Sequence, residues 1–284
     1  MYNADITRTQ KGAVVILIDQ SGSMSEEVVF AGKTTTKAAA VASVANSLID
    51  ELINNCHRHR TIGDYFDLAV IGYGGESAAS LLGSKGFRRI TDVNNMPTTT
   101  LIEPLSFRMP DGRVVESVAE RRVWIEPQAK GRTPMGGALT MARKLLTSWC
   151  SHNPQSFPPL VINITDGEAT DATEEQLLLL AEQIKATATA DGNTLLVNVH
   201  IASEYDTVGP TLFFPSESEP WPANRYTQLL WQMSSTFPEP FNATIGEIKN
   251  SSTRPPYRAM CYNSSAAQLF SLLNIGSVSI ERMI

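Results

Sequence analysis

Short apolar runs alternate with stretches of helical periodicity along most of the chain. Each run is rich in Val, Ile and Leu and lacks a polar face, which is typical of strands buried on both sides of a parallel sheet. The runs are Ala13–Asp19, Phe66–Gly72, Leu160–Thr165 and Leu195–Ala202. Amphipathic helices are predicted at about 35–56, 134–149, 173–188 and 225–234, followed by a short strand near 258–262 and a helix near 265–273.

This alternation predicts an α/β fold, with a doubly wound, mostly parallel sheet flanked by helices in one domain over residues 1–284. Two segments interrupt it. Residues 74–126 are expected to form an insertion with a β-hairpin or small lobe, in which Arg121–Glu126 is one strand. Residues 203–222 form an acidic, proline-rich excursion whose aromatic residues either pin the loop or contact a partner. Those aromatic residues are Phe213, Phe214 and Trp221.

Composition narrows the classes of function. The net charge of −6 argues against a broad nucleic-acid surface, because neutralising phosphates needs clustered Lys and Arg. The three cysteines are widely spaced without a CxxC pair, which indicates reduced thiols in the cytosol. The first residues lack the apolar run of a signal peptide, and no apolar run reaches the ~20 residues that span a membrane. We therefore expect a cytoplasmic protein without nucleic-acid or membrane partners; its oligomeric state is left open.

The strongest chemical signal directly follows the first predicted strand, where Asp19, Ser21 and Ser23 alternate around a glycine. Thr133 stands just before a predicted helix, and Asp166 follows the strand at 160–165. In open α/β sheets ligands bind beyond the carboxyl ends of the strands, where two of these residues lie. Hydroxyl and carboxylate oxygens are hard ligands, which suit Mg²⁺, Mn²⁺ or Ca²⁺ rather than zinc.

The residues alone leave other interpretations open. Asp19 and Asp166 are also suited to capping helices, with the serines forming turns in a metal-free structural protein. Asp19 also stands where the nucleophile of a Mg²⁺-dependent phosphatase or phosphotransferase would. That chemistry usually requires a second acid two residues further on, and Ser21 occupies that position.

The pattern D-x-S-x-S with a distant Thr and a distant Asp resembles the metal-ion-dependent adhesion site of von Willebrand factor A domains, in their stand-alone intracellular bacterial form. All five positions are present. The resemblance implies one divalent cation, with Mg²⁺ favoured over Mn²⁺ or Ca²⁺. It also implies direct coordination by Ser21 and Ser23, coordination by Thr133 directly or through water, and contributions from Asp19 and Asp166 mostly through bound water.

The resemblance further implies a non-enzymatic module, without catalytic residues, that binds another protein. A partner's Asp or Glu carboxylate would complete the coordination of the metal. Intracellular bacterial members of the family often work beside kinases, phosphatases or ATPases in stress or defence systems. Candidate residues for the partner surface are Glu168, Phe213, Phe214 and Trp221.

Overall fold

The computed structural model describes residues 2–30, 32–58, 61–83, 85–109, 113–201, 212–219, 224–249 and 253–262, without the side chains of 103–108. The helices are α1 Lys37–Asn54, α2 Ile90–Asn94, α3 Met135–His152, α4 Glu174–Lys185, α5 Arg225–Met233 and α6 Asn242–Lys249. Two short 3₁₀ helices in these ranges cover Gly22–Ser25 and Glu239–Phe241. Among the helices of these ranges, none has the length and apolarity needed to cross a membrane.

Sixteen strands are present in the same ranges, several of them two residues long. They are β1 Gly12–Asp19, β2 Glu27–Phe30, β3 Lys33–Thr36, β4 His57–Arg58, β5 Thr61–Ile62, β6 Phe66–Gly74, β7 Ser77–Ser80, β8 Arg88–Arg89, β9 Thr99–Arg108, β10 Val114–Val123, β11 Leu160–Thr165, β12 Ala188–Thr189, β13 Gly192–Asn193, β14 Leu195–His200, β15 Leu212–Phe213 and β16 Met260–Tyr262.

The main sheet has the strand order β15-β16-β14-β11-β1-β6-β7, with β8 also paired to β6. The five strands from β16 to β6 run parallel, and the outer strands β7, β8 and β15 are antiparallel to their neighbours. From the central strand β1 the chain builds outward in both directions, first to β6 and later to β11, β14 and β16. The predicted α/β fold, a mostly parallel sheet flanked by helices, is confirmed.

Each face of the sheet has its own hydrophobic core. Ile16 and Ile18 of β1 pack with α1, whereas Val15 and Leu17 pack with α3, α4 and α5. All four side chains are at most 2% exposed. Because successive strand residues point to opposite faces, burial on both faces leaves no polar position in the run, which explains the unbroken apolar pattern.

The predicted helices are present with slightly shorter or shifted ends. The capping box expected at the start of α4 is formed: the Gln176 N–H donates to Thr173 Oγ1 at 3.3 Å, and the Thr173 N–H donates to Gln176 Oε1 at 2.8 Å. Thr36 caps α1 by accepting a hydrogen bond from the Ala39 N–H at 3.2 Å. The caps satisfy backbone donors that a helix end leaves open.

Two predicted segments need correction. The strand expected at Arg121–Glu126 ends at Val123, where β10 pairs with β9 in a long hairpin. The next two N–H groups, of Trp124 and Ile125, instead donate to Asn46 Oδ1 of α1 at 2.8 and 2.9 Å, which draws the chain away from the ladder.

The second correction concerns the excursion expected at 203–222. Leu212 and Phe213 form the edge strand β15 of the main sheet, so this part of the segment belongs to the domain core. The helix predicted near 265–273 lies outside the described residues.

Candidate metal site

The candidate site lies at the carboxyl edge of the sheet, beside the ends of the neighbouring strands β1 and β11. Asp19 ends β1, and Asp166 follows the last residue of β11. A cavity of about 440 Å³ opens there, and its walls include Ser21, Ser23, Thr133 and Asp166. Parallel strands bring their carboxyl ends to one edge, which is why residues far apart in sequence meet at this cavity.

Asp19 is held in place at the base of the site. It is 1% exposed, its Oδ1 accepts the Ser21 N–H at 2.9 Å, and its Oδ2 accepts the Thr165 hydroxyl at 2.7 Å. Burial, and secondly the negative charge of Asp166, raise the pKa of Asp19 to about 6, although these hydrogen bonds act in the opposite direction. The charge of Asp166 thus acts on Asp19, and a cation bound near both carboxylates would relieve that repulsion.

The two serine hydroxyls lie side by side in the wall of the cavity. Ser21 Oγ and Ser23 Oγ are 3.0 Å apart, and both residues line the cavity. Met24 is fully buried and anchors the 3₁₀ turn in the core. The Gly22 N–H donates to the Gly131 carbonyl at 3.0 Å, which ties this turn to the loop that carries Thr133.

Thr133 is positioned by a reciprocal pair of hydrogen bonds with the loop that follows Asp166. Its N–H donates to Thr170 Oγ1, and its carbonyl accepts the Thr170 N–H, both at 3.0 Å. Two residues before Thr133, Gly131 has a φ of +67°, and a Cβ there would lie 2.5 Å from Gly75 Cα. Backbone contacts therefore hold three loops together: the loop after β1, the loop after β6, and the loop that joins β10 to α3.

The acid at position 171 also holds the site together. The carboxylate of Asp171 accepts the N–H groups of Gly136 at 2.9 Å and Gly137 at 2.8 Å, the first turn of α3. Anionic groups are favoured at the N-terminus of a helix, where N–H groups lack intrahelical partners. Asp171 thereby fixes α3, and with it Thr133, against the loop after β11.

Asp166 contacts a lysine that sequence analysis missed. Lys37 Nζ lies 3.3 Å from Asp166 Oδ2 and 2.8 Å from Glu26 Oε2, and the lysine side chain is 5% exposed. On the other side, His200 Nε2 donates to the Asp166 carbonyl oxygen at 2.9 Å. The sequence held one signal for this contact. Lys37 is a cation at the first position of an alanine-rich helix, where the helix dipole disfavours positive charge and a nearby anion is needed to offset it.

The sequence analysis also missed Thr165 and Thr170. These residues do not belong to the predicted ligand set, but each forms a hydrogen bond that positions one of its members. Thr165 is buried, donates to Asp19 and accepts the Gly167 N–H at 2.9 Å. In the sequence, Thr165 is only the last residue of a predicted apolar strand. A threonine adjacent to Asp166 at a strand end was the one available signal.

The residues predicted for the partner surface divide into three cases. Glu168 is exposed and lines the cavity. Phe213 and Phe214 are 6% and 0% exposed, so their prediction as partner-binding residues is corrected: both lie in the core, where the Phe214 ring packs against Phe213 and Phe237. Trp221 lies outside the described residues.

The chemistry of the donor set fits a hard divalent cation. Three hydroxyl residues and Asp166 line the cavity, and the buried Asp19 is hydrogen-bonded to the Ser21 N–H. Oxygen ligands of this kind suit Mg²⁺, Mn²⁺ or Ca²⁺. Over the parts of the chain that the structure describes, no cluster of three His, Cys, Asp or Glu side chains is placed to hold a metal. A cation held here would therefore depend on the hydroxyls.

No protein-family model and no curated protein matches the chain. Among solved structures, it is similar to a von Willebrand factor type A protein from Catenulispora acidiphila, with a TM-score of 0.48 and 14% identity over 95% of this chain and 42% of that one. It is also similar to the vWF domain of the type V pili tip protein Mfa5 from Porphyromonas gingivalis, with a TM-score of 0.34 and 15% identity over 57% of this chain and 40% of that one.

A third similar structure is the pilus adhesin RrgA from Streptococcus pneumoniae, with a TM-score of 0.28 and 15% identity over 64% of this chain and 26% of that one. The chain spans less than half the length of each of these three proteins. Likenesses at this level extend at most to the fold, so the function has to be inferred from the site itself.

Proposed function

We propose that this chain is a metal-dependent protein-interaction module of the von Willebrand factor A type. One divalent cation, with Mg²⁺ favoured, would be held by Ser21, Ser23 and Thr133, with Asp19 and Asp166 acting mostly through bound water. The observation that carries the proposal is the convergence of Ser21, Ser23, Thr133 and Asp166, from three separate segments, on one open cavity. The buried Asp19 is joined to this group by its hydrogen bond from the Ser21 N–H. Bound there, the cation supplies a Lewis-acidic position that accepts a carboxylate oxygen.

The state of Asp19 supports binding over catalysis. A nucleophilic carboxylate has to reach its substrate, but Asp19 is 1% exposed and each of its oxygens already accepts a hydrogen bond. Ser21 occupies the position where a phosphatase of this type would carry its acid. We therefore propose no catalytic residue.

The metal is tested by thermal unfolding with millimolar Mg²⁺ or Mn²⁺ against EDTA. A ligand that binds only the native state raises its stability, by about 2.7 kcal/mol at a hundred times the dissociation constant. Two serines of one loop make a matched pair. Ser23→Ala removes a hydroxyl that lines the cavity and should abolish the metal effect, whereas Ser25→Ala removes one that donates to the Gly22 carbonyl and should retain it. A wild-type protein indifferent to both metals would refute the proposal.

The partner is proposed to be a protein that presents an Asp or Glu side chain, in a cytoplasmic setting such as kinase- or phosphatase-linked stress or defence signalling. Affinity capture on the wild-type chain in Mg²⁺, with elution by EDTA, should recover it. The eluted protein should not bind the Ser23→Ala chain, and replacing its contacting acid by the amide should abolish binding. Capture that survives EDTA would place the interaction elsewhere on the molecule.

A further inference from the structure

Lys37 is a buried cation inside the candidate metal site. It is the first residue of α1, and its side chain, 5% exposed, extends to Glu26 Oε2 at 2.8 Å and Asp166 Oδ2 at 3.3 Å. Two effects oppose an ammonium there: the loss of hydration, and the positive end of the dipole of an 18-residue helix. The two carboxylates offset both effects, so Lys37 and the site acids are electrostatically coupled.

The charges of the cluster indicate how this coupling affects the affinity of the site for a divalent cation. The carboxylates of Asp19, Glu26 and Asp166 and the ammonium of Lys37 give a net charge of −2 when all are ionised. Glu168 and Arg132, which also line the cavity, carry opposite charges and leave this sum unchanged. A divalent cation brings that cluster to neutrality. Without the ammonium the cluster would carry −3, and the same cation would bind to a more negative site. The side chains of Lys37 and Asp166 are 5% and 10% exposed, and charges so poorly solvated interact strongly, so one unit of charge matters.

We propose that Lys37 is an internal competitor of the metal: its ammonium shares Asp166 with the bound cation and sets the metal affinity of the site low. This inference rests on the proposed metal site and adds its regulation. A weakly held cation in a neutral cluster still accepts a negative ligand. The carboxylate of the partner then adds to metal retention, so that metal and partner bind cooperatively by linkage.

The test is the affinity for Mn²⁺ alone, measured at pH 7.5 from the electron paramagnetic resonance signal of the free ion. Lys37→Met retains the length of the side chain without its charge and should lower the dissociation constant at least fivefold. Lys37→Gln should act in the same direction, and it serves if the methionine variant does not fold.

Two neighbouring glutamates supply a matched pair with the opposite expectation. Glu26→Gln leaves the site one charge less negative and releases Lys37 to Asp166, so Mn²⁺ should bind at least threefold more weakly. Glu27→Gln removes the same charge from the adjacent exposed position, whose carboxylate does not pair with Lys37, and should stay within twofold of the wild type.

The outcomes separate this inference from the proposed function. If the wild type binds Mn²⁺ and both Lys37 variants bind it equally well or more weakly, the competitor role is refuted while the metal site stands. If only the Lys37 variants bind Mn²⁺, the wild-type chain is not a metal-dependent module, and the proposed function and the regulatory role of Lys37 are both refuted. If neither the wild type nor the Lys37 variants bind Mn²⁺ up to millimolar concentration, the metal site itself is refuted and this inference with it.

Discussion

Gly131 is a point of close approach between two loops of the candidate site. Its φ of +67° lies in the left-handed region, and a Cβ added there would lie 2.5 Å from Gly75 Cα and 3.0 Å from Gly75 N. Both neighbours are backbone atoms, which cannot rotate away as the end of a side chain can. Gly131→Ala should therefore force apart the loop after β6, which contains Gly75, and the loop after β10, which contains Gly131.

The magnitude follows from two separable costs. A left-handed conformation costs an L-residue about 1–2 kcal/mol. Forcing an extra methyl group into a packed site typically costs a further 1–3 kcal/mol. Gly32 isolates the first cost, since its φ is +75° but a Cβ there meets nothing within 4 Å. We expect Gly32→Ala to lose about 1–2 kcal/mol of unfolding free energy and Gly131→Ala to lose about 2–5 kcal/mol.

Urea denaturation of the metal-free proteins measures both losses, and the reduced entropy of the unfolded alanine chains largely cancels in the comparison. The extra loss at Gly131 is the contact cost. Gly131→Ala should also weaken any stabilisation by Mg²⁺, because Thr133 follows two residues later in the same loop, whereas Gly32→Ala should retain it. A Gly131→Ala protein as stable as Gly32→Ala would refute the close packing of these loops.

Three further changes test the supports of the site and the state of the thiols. Asp171→Ala should cost about 1 kcal/mol in urea denaturation because two N–H groups of α3 lose their acceptor, and an unchanged midpoint would contradict this. Thr165→Val, nearly isosteric, should cost about 1.5–3 kcal/mol in the same assay at neutral pH because the Asp19 carboxylate loses a buried donor; a loss below 0.5 kcal/mol would contradict it. Burial raises the pKa of Cys56 to about 12 and that of Cys150 to about 11, so little thiolate is present at pH 8. Mass spectrometry should find both thiols nearly unlabelled by iodoacetamide in the native protein and readily labelled in urea; rapid native labelling would overturn this.

The fold was predictable because its signals are local and repeated. Four apolar runs without a polar face became β1, β6, β11 and β14, and burial on both faces is the physical cause of that pattern. The strand at residues 212–213 was not predictable from the same signals. Two residues paired to β16 are too few for any periodicity, and their strand exists because a distant segment offers it an edge.

The candidate ligands were easier to predict than the residues that position them. Asp19, Ser21 and Ser23 follow one another in a single loop, so their spacing is visible in the sequence. Thr170 and Lys37 act through contacts across 37 and 129 positions, to Thr133 and Asp166 respectively, which no local pattern encodes. Single sequences show short-range spacing, whereas supporting contacts depend on how the chain closes on itself.

The fixed position of Asp19 bears on how strongly a cation there would attract a partner. The oxygens of this carboxylate are committed to the Ser21 N–H and the Thr165 hydroxyl, and the core reinforces the same region through Tyr73, whose hydroxyl donates to Asn163 Oδ1 at 2.8 Å. An acid held in this way reaches a neighbouring cation more readily through water than by direct contact. On the proposed assignment the direct ligands of the cation would then be mostly neutral oxygens. Its positive charge would be less neutralised than by direct carboxylate ligands, so it would bind an anionic oxygen from a partner more strongly.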